Sequence, residues 1–354
     1  MSCIISSPSS DSGKTTLALL ISCWAFSKGL KIQTFKVGPD YLDQQQLSSI
    51  GHPICRNLDI FLSGEDWVKT TFDKNAKKYD LSLIEGAMGL FDGLGSTQIS
   101  STAHVAKLLK LPLIFIVNAK GTVASLLPLV NGFRDFDQSI SIAGIIFNNV
   151  NSERHKYLIK EVFKDHSIEI LGFLPSNKRI SLLKGNLGLI SPLEFNKKID
   201  INYFAFYAEK NLNLKKIKSL LSSRPKPTFV SNPQPNININ IERPIAIAQD
   251  KVFHFQYPET KDFLLDLGIP ILQWSISKDE EIPEDVEAVI IPGGFPEKYA
   301  EEVSSSGKSL KSLKNFLKKG FIYAECGGMM ILGDYILDEN EKMHKMAGVL
   351  PFTS

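Results

Sequence analysis

The sequence predicts an α/β protein whose first domain is a doubly wound, mostly parallel sheet, followed by a second α/β unit. Two observations lead to this prediction. A loop near the N-terminus lies between a short apolar run and a helical pattern, and short apolar runs alternate with helical patterns along the chain. Several runs are continuously apolar, which is typical of strands covered on both faces. Ligands of such a domain are expected beyond the carboxyl ends of the strands.

The N-terminal loop, residues 6–16, reads SSPSSDSGKTT and has the features of a phosphate-binding loop, or P-loop. Gly13 allows the backbone to approach a phosphate, Lys14 can reach the outer phosphates, and the Thr15 hydroxyl can bind Mg²⁺. The start of the following helix adds exposed N–H groups. An ordinary Ser-rich turn that caps a helix is the alternative. The predicted nucleotide contacts in this loop are Ser12, Gly13, Lys14, Thr15 and Thr16.

Apolar runs and helical periodicity place the elements in order. Strands of the first domain are predicted at residues 3–5, 32–35, 81–84, 113–117, 142–147 and 168–171, and helices at 15–28, 103–109, 125–133 and 152–163. Gly29 is predicted to end the first helix and Ser152 to cap the fourth. In the second unit, strands are predicted at 245–248, 288–291 and 321–324, and helices at 258–267 and 310–317.

The amino-acid composition limits which classes of protein and function fit this chain. The 354 residues, 43% hydrophobic and 22% charged, fit a globular chain of about two domains. A net charge of +2, with scattered lysines and no basic stripe, gives no indication of a nucleic-acid partner. Apolar runs are too short for a membrane span, and the N-terminus lacks the basic region of a signal peptide. Four cysteines without CxxC spacing fit a reducing cytoplasm.

Acidic residues follow two of the predicted strands. The segment 36–43 reads KVGPDYLD, and the segment 85–93 reads EGAMGLFDG. A carboxylate at such a strand end can hold Mg²⁺, so Asp40 and Glu85 join Thr15 as predicted metal ligands. Acids in surface turns are the alternative. Glu85 directly follows an apolar strand, which favours a functional role.

One cysteine differs from the others in its context. Cys3, Cys23 and Cys55 are best interpreted as small buried hydrophobes. Cys326 lies at a strand-to-helix turn before two glycines, the setting of a nucleophile. The predicted oxyanion donors are the N–H of Gly327 and, from the Gly-Gly turn after the neighbouring strand, that of Gly294.

A thiol nucleophile also needs a base. His344, in the polar turn 338–345, is predicted to face solvent, and His254 is the other candidate.

Taken together, these motifs resemble the cobyrinic acid a,c-diamide synthase family. They occur in family order along the chain, and the segments that carry the resemblance are the P-loop, 36–43, 85–93, 101–104 (STAH), 148–155 (NNVNSERH) and 172–175 (GFLP). The chain departs from the family pattern at Ser7, Asp11 and Asn118. The resemblance implies a dethiobiotin-synthetase-like ATPase domain joined to a class I glutamine amidotransferase domain.

This resemblance implies a reaction and further site residues. It implies ATP- and Mg²⁺-dependent amidation of the a and c carboxylates of cobyrinic acid through an acyl phosphate, with nitrogen from glutamine or ammonia. Asn148 would read the adenine. The residues that would position the corrinoid acceptor are Tyr41, Leu42, Asp43 and Asp92. Neither a nucleic acid nor a membrane is implied as a partner, and a homo-oligomer is compatible with the family.

Domain boundaries follow from composition and resemblance. Residues 1–195 are predicted to form the P-loop ATP-binding domain, 196–243 a helix and a Pro/Asn-rich linker, and 244–354 the glutamine amidotransferase domain. In the family, the His and Glu of the glutaminase triad come from a segment after the cysteine. Only 28 residues follow Cys326, so the resemblance implies that this domain is C-terminally incomplete.

Related families give alternatives. Cobyric acid synthase and nickel-sirohydrochlorin a,c-diamide synthase share this chemistry. The domain order and the motif from Asp40 to Asp43 disfavour the former and, less clearly, the latter. A partitioning-type P-loop ATPase is the alternative of a different class. Such a nucleotide switch would have no need of Cys326 or of the Gly-Gly turn.

Overall fold

The computed structural model describes residues 2–51, 53–181, 195, 197–222 and 243–354. Contacts divide the chain into two compact units, Met1–Gln234 and Pro235–Ser354. Residues 223–242 of the predicted linker lie outside the described residues, and the domain boundaries at 195 and 243 stay predictions. Every helix in the described ranges is too short or too polar to cross a bilayer.

The first unit is built on a sheet of seven parallel strands within the described ranges. They are β1 Cys3–Ser6, β2 Ile32–Val37, β3 Arg56–Leu58, β4 Leu81–Glu85, β5 Leu113–Asn118, β6 Ile142–Asn148 and β7 Ile170–Leu174. Their order is β3-β2-β4-β1-β5-β6-β7. The predicted doubly wound α/β fold is confirmed, and the strand order reverses at β1, the position where such sheets bind ligands.

Helices cover both faces of this sheet. They are α1 Lys14–Ser27, α2 Tyr41–Ser48, α3 Ile60–Ser63, α4 Glu65–Ala76, α5 Thr102–Leu109, α6 Leu126–Phe136, α7 Glu153–Val162, α8 Lys178–Ser181, α9 Ile201–Asn211 and α10 Leu214–Leu221. The four predicted helices correspond to α1, α5, α6 and α7. Ser152 caps α7 as predicted, because its side chain accepts a hydrogen bond from the His155 N–H.

Two departures from the predicted elements have local causes. β3 is a three-residue strand that contains Arg56 and Asn57, so its apolar signal is weak. The last predicted strand, 168–171, is shifted to Ile170–Leu174, because Leu174 pairs with Asn148 at the extended end of β6.

Apolar layers lie on the two faces of the sheet. One contains α1 together with α9 and α10, which pack over the strands through Phe204, Ile217 and Leu221. The other contains α4 to α7, including Phe72 and Phe115. Helices α9 and α10 are therefore part of the first compact unit.

The second unit has its own sheet of four parallel strands, in the order β10-β8-β11-β13. The described strands of the whole second unit are β8 Ile245–Ala248, β9 Phe253–Phe255, β10 Ile271–Trp274, β11 Ala288–Ile291, β12 Gly293–Gly294, β13 Phe321–Ala324, β14 Tyr335–Leu337 and β15 Met343–Lys345. Strands β9 and β12 pair with each other outside the four-stranded sheet, as do β14 and β15. Its α-helices are α11 Pro258–Asp266, α12 Ala300–Ser305, α13 Gly307–Phe316 and α14 Gly327–Met330. Strands β8, β11 and β13 occupy the positions predicted from the sequence.

The packing of α9 predicts a stability difference between two phenylalanines that are two positions apart. Phe204 is 1% exposed in the core, whereas Phe206 is 60% exposed. Phe204→Ala should lower the free energy of unfolding of the first unit by about 3–5 kcal/mol. Phe206→Ala should change it by less than about 0.5 kcal/mol. Urea unfolding followed by tryptophan fluorescence, with Trp24 in the same core as reporter, measures both; equal losses would contradict this packing.

Candidate active sites

A cavity of about 540 Å³ opens at the carboxyl edge of the first sheet. This volume falls in the range of small-molecule sites. Of the predicted nucleotide and metal residues, the cavity lining includes Gly13, Lys14, Thr15, Thr16, Asp40, Glu85 and Asn148. Ser12 is buried behind the lining. The P-loop and the acids at the strand ends therefore face one space.

The P-loop lysine is held by its own loop and by the segment that follows β4. Lys14 Nζ donates hydrogen bonds to Ser7 Oγ at 3.0 Å, to the Ser9 carbonyl at 3.3 Å and to the Met88 carbonyl at 2.5 Å. Burial lowers the pKa of Lys14, and the nearby charge of Lys36 acts in the same direction. An incoming anion would offer Lys14 a charged partner in place of these neutral acceptors.

Gly13 is required by its backbone conformation and its surroundings. Its φ of 109° lies in the left-handed region that favours glycine. A Cβ at this position would lie 2.5 Å from Asn148 Nδ2. Asn148 approaches this closely because its Nδ2 donates to the Ser12 carbonyl at 3.0 Å, while its Oδ1 accepts from the Asn149 N–H. The Asn148 amide therefore braces the P-loop, and its predicted role in reading adenine stays a prediction.

Lys36, to which sequence reasoning gave no role, lies at the centre of the acidic residues. This buried side chain places Nζ 2.8 Å from Asp43 Oδ2, 3.3 Å from Glu85 Oε1 and 3.5 Å from Asp40 Oδ2. Thr15 Oγ1 donates to Glu85 Oε1 at 2.5 Å. The sequence feature that could have indicated this role is a lysine near the end of a predicted strand, a few residues before Asp40 and Asp43.

The charges in this cluster shift one another. Burial raises the pKa of Glu85 to about 8, although Lys36 acts against this shift. Burial by itself would lower the pKa of Lys36, but the three acidic neighbours hold it above its usual range. Burial works against ionised Asp43, yet Lys36 and Thr15 hold the pKa of that carboxyl below its usual value. Lys36 and Asp43 form the shortest ion pair of the cluster, at 2.8 Å.

The donor set fits a hard cation such as Mg²⁺. Glu85 Oε2 is buried at the cavity and lacks a hydrogen-bond partner, and the Thr15 hydroxyl and Asp40 supply further oxygen donors. Among the described residues, no group of three or more His, Cys, Asp or Glu side chains is arranged to hold a metal by itself. A Mg²⁺ ion here would therefore need additional ligands from a nucleotide and water.

Only one of the four predicted acceptor-positioning residues lines the cavity, and it is Asp43. Tyr41 and Leu42 form the first turn of α2, whose N-terminus is capped by Asp40. Asp92 turns toward its own loop, where Oδ2 accepts a hydrogen bond from the Gly89 N–H at 3.0 Å. The acceptor roles of these residues stay predictions.

Sequence reasoning gave no individual role to two further residues, Met88 in the loop after β4 and Thr102 at the start of α5. The Thr102 hydroxyl both donates to the Ala87 carbonyl and accepts from the Ala87 N–H, each at 3.0 Å. Met88 follows with a φ of 45°, and its carbonyl meets Lys14. This clasp depends on contacts between segments that are distant in sequence, so local patterns do not reveal it.

In the second unit, Cys326 occupies a strained turn between β13 and α14. Its backbone angles are φ 50° and ψ −123°, and its side chain is exposed. A Cβ on Gly293 would lie 3.4 Å from Cys326 Sγ, so the Gly-Gly turn adjoins the thiol. A Cβ on Gly327 would lie 3.1 Å from the Gly294 nitrogen. The structure thus brings together the three residues predicted for thiol chemistry: Cys326, Gly327 and Gly294.

The prediction that His344 faces solvent is wrong. His344 is 6% exposed, and its Nε2 lies 2.9 Å from Asp338 Oδ2. It lies on β15 opposite the buried Ile336, and alternate residues of a strand face opposite sides. Met343 and Lys345 take the outward positions. The polar composition of the segment concealed this hairpin.

His254 lies on β9, which pairs with the Gly-Gly turn. Burial lowers its pKa to about 4, so the imidazole is neutral at neutral pH. Its ring packs against Phe255 and Phe295. His254 is therefore a neutral group in the strand next to the turn that adjoins Cys326.

Known proteins match both units. A family model described as the CobQ/CobB/MinD/ParA nucleotide binding domain matches residues 3–187, and one described as the CobB/CobQ-like glutamine amidotransferase domain matches residues 244–354. A cobyrinate a,c-diamide synthase from Synechococcus sp. is 34% identical, with 100% of this chain and 78% of that protein covered. That from Caldanaerobacter subterraneus is 37% identical, with 99% and 77% covered. The chain belongs to the cobyrinate a,c-diamide synthase family.

Membership in the cobyrinate a,c-diamide synthase family confirms the resemblance noted from the motifs. The protein is an ATP-dependent glutamine amidoligase that carries out amidation in cobalamin biosynthesis, and its substrates include a corrinoid and glutamine. The first unit carries the nucleotide-binding domain of this family. The partitioning-type ATPase alternative is set aside, since the amidotransferase domain is present.

The buried Glu85 predicts a pH-dependent stability. Its folded-state pKa of about 8 lies above the ordinary value of 4.5, so the folded state binds the proton more tightly than the unfolded state does. Wild-type stability should therefore fall as the pH rises between these values, and Glu85→Gln should gain stability relative to wild type over the same range. Urea unfolding at several pH values in EDTA measures this.

Asp43→Asn is the matched control for Glu85→Gln. The pKa of Asp43 is lowered in the folded state, so its contribution to stability is present at neutral pH and lost in acid. Asp43→Asn should be less stable than wild type at neutral pH, and the deficit should shrink in acid. Parallel pH profiles for wild type and Glu85→Gln would show that Glu85 does not titrate as stated.

The strained turn at Cys326 predicts an unusual ranking of variants. Its positive φ is costly for any residue with a Cβ, and glycine avoids that cost. Cys326→Gly should therefore be more stable than Cys326→Ala by about 1 kcal/mol, although glycine is ordinarily the worse choice. Thermal unfolding of the second unit gives the ranking. If the alanine variant is the more stable one, the turn is unstrained.

Proposed function

We propose that the first unit transfers the γ-phosphoryl group of MgATP to a carboxylate of the corrinoid, and that ammonia then displaces phosphate from the resulting acyl phosphate. The observation that supports this best is the meeting of Lys14, Lys36 and the strand-end acids at one cavity. Phosphorylation is needed because an amine does not displace hydroxide from a carboxylate, whereas phosphate is a good leaving group.

The P-loop orients the nucleotide in this proposal. The phosphates lie against the backbone of Gly13 to Thr16 at the N-terminus of α1, where N–H groups and the helix dipole favour anions. Lys14 exchanges its carbonyl and hydroxyl acceptors for phosphate oxygens. Thr15, Asp40 and Glu85 would hold Mg²⁺, which when bound neutralises part of the phosphate charge. Lys36 holds Asp43 and Glu85 in place beside the phosphates.

Phosphoryl transfer in this proposal needs no covalent intermediate with the protein. An acceptor carboxylate oxygen attacks the γ-phosphorus and ADP leaves, with Lys14 beside the charge that the transferring group carries. Ammonia then attacks the acyl carbon, loses a proton, and inorganic phosphate departs. The cavity surrounds the reacting groups and limits competition from water.

In the second unit, the Cys326 thiolate attacks the carboxamide carbon of glutamine in this proposal. The N–H groups of Gly327 and Gly294 receive the negative charge that develops on the carbonyl oxygen. The leaving nitrogen takes up the proton that the thiol released and departs as ammonia; water then hydrolyses the γ-glutamyl thioester, which releases glutamate and returns the Cys326 thiol. The strained turn supports this role, because it projects the thiol out of the backbone beside the Gly-Gly turn.

We also propose that the protein works in the reducing cytoplasm and that a homo-oligomer is compatible with its function. Support for the first point comes from the free thiols of Cys3, Cys23, Cys55 and Cys326. Sedimentation measurements would determine the oligomeric state.

Separate nitrogen donors distinguish the two sites. Lys14→Ala should lower amidation by at least about 10²-fold with ammonia as well as with glutamine, because the phosphoryl group loses its cationic partner. Cys326→Ser should abolish the use of glutamine and leave ammonia-dependent amidation unchanged. The matched control is Lys28→Ala at the other end of α1, where the exposed lysine pairs with Glu209. Mass spectrometry of the corrinoid products measures the outcome.

The proposal would be contradicted if folded Lys14→Ala retained wild-type turnover with ammonia, because phosphoryl transfer would then not depend on the P-loop lysine. Loss of ammonia-dependent amidation in Cys326→Ser would contradict the separation of the two half-reactions.

A further inference from the structure

Exposed apolar side chains collect at the same sheet edge as the cavity. Phe61 and Leu62 follow the carboxyl end of β3, and Leu94 and Ile99 follow that of β4; we call these four residues the apolar rim. Each is between 52% and 60% exposed. Strands β3, β2 and β4 are adjacent and parallel, so the segments that follow them leave the same edge of the sheet. Large apolar side chains exposed in this way are typical of binding surfaces.

The backbone around the rim is well tied rather than loose. The Phe61 and Leu62 N–H groups both donate to Asp59 Oδ1, at 2.9 and 3.2 Å. Across the other segment, the Leu94 N–H donates to the Ile99 carbonyl at 2.9 Å. These hydrogen bonds fix the backbone of the segments that carry the exposed apolar side chains.

A histidine ties the two rim segments together. His104 Nε2 lies 3.2 Å from Glu65 Oε1, just after α3, and His104 Nδ1 accepts a hydrogen bond from the Ser100 N–H at 3.1 Å. Because Nδ1 is an acceptor, the neutral ring carries its proton on Nε2 and donates it to Glu65. The segment with Phe61 and Leu62 is thereby connected to the segment with Ile99, so the two rim segments are held beside each other.

The size of the cavity indicates what the rim binds. A cavity of about 540 Å³ matches a single small molecule, and the nucleotide fills this role at the P-loop. A corrinoid has a large macrocycle with carboxylate arms, so only an arm can enter beside the nucleotide. Met88 both lines the cavity and is 47% exposed, so it lies at the mouth of the cavity.

We propose that the apolar rim is the platform on which the corrin macrocycle docks while one carboxylate arm passes Met88 toward Lys14. The apolar faces of the ring cover Phe61, Leu62, Leu94 and Ile99, and the arm reaches the phosphates. The inference rests on the placement of phosphoryl transfer at Lys14 proposed above. It assigns acceptor binding to residues outside the motifs that carry the family resemblance.

Equilibrium dialysis of cobyrinate, detected by its visible absorption and without ATP, tests the rim directly. Two double variants remove its halves: Phe61→Ser with Leu62→Ser, and Leu94→Ser with Ile99→Ser. Each should weaken cobyrinate binding by about tenfold, as expected for the loss of buried apolar area. Nucleotide affinity should stay within about twofold of wild type, and kcat at saturating corrinoid should be nearly unchanged.

The matched control is Tyr157→Ser with Phe206→Ser, which removes two side chains that are each 60% exposed on α7 and α9. This control should bind cobyrinate like wild type. If both rim variants also bind like wild type, or if their nucleotide affinity falls together with that for the corrinoid, the inference is wrong. Dialysis needs no turnover, so it reports on the rim even if Lys14→Ala remains active and the proposed phosphoryl-transfer site fails.

Discussion

The buried ammonium group of Lys36 is the interaction on which the first site depends. Asp40, Asp43 and Glu85 crowd around one point at the ends of β2 and β4, with Glu85 buried and the two aspartates partly exposed, and their carboxylates repel one another when ionised. A cation at 2.8–3.5 Å from each offsets that repulsion. Buried charges of this kind are unfavourable unless they are paired. The lysine therefore lets the chain assemble an acidic cluster before any ligand arrives.

This cluster and the P-loop meet because of the strand order. β1 lies between β4 and β5, so the loop that follows β1 opens at the point where the sheet reverses. Hydrogen bonds connect the segment after β4 to its neighbours. The Leu90 N–H donates to the Ser7 carbonyl in the P-loop, and the Thr102 hydroxyl donates to the Ala87 carbonyl. The same edge carries the apolar rim on its β3 and β4 side. The residues proposed for phosphate binding, the acidic cluster and the proposed docking rim thus lie along one row of strand ends.

The sequence predicted those residues whose role is visible within a short window. Gly13, Lys14 and Thr15 occupy a strand-loop-helix pattern, and Cys326 stands at a strand end before two glycines, so local order was enough. The fold class followed in the same way from continuous apolar runs. Helix α2 was missed because YLDQQQLS has no apolar period, and its start depends on the Asp40 cap.

What local patterns could not show is pairing between distant segments. Lys36, Met88, Thr102 and His104 acquire their roles from hydrogen-bond partners 15 to 74 positions away, which only the folded sheet brings close. The prediction for His344 was wrong for a different reason. The polar composition of its segment indicated exposure to solvent, whereas the alternation of side chains along the β14–β15 hairpin turns its ring inward.

The two units share one backbone feature, a strand-to-helix turn with a positive φ, although the charges around it differ. After β1 and after β13, the chain turns through residues with positive φ, Gly13 in one case and Cys326 in the other, and then enters a helix. Such a turn exposes backbone N–H groups toward the space beyond the strand end. In the first unit those groups face a cavity lined by Lys14, Lys36, Asp40, Asp43 and Glu85, which under the proposed function would balance the charge of phosphates. In the second unit no comparable cluster of charged side chains contacts Cys326 among the described hydrogen bonds and ion pairs, and glycines surround it. In the proposed reaction, the small residues there would let backbone N–H donors approach the carbonyl oxygen of glutamine, whose negative charge exists only during reaction. Under this proposal, charged side chains balance the permanent anion of the first site, and backbone N–H groups stabilise the transient anion of the second.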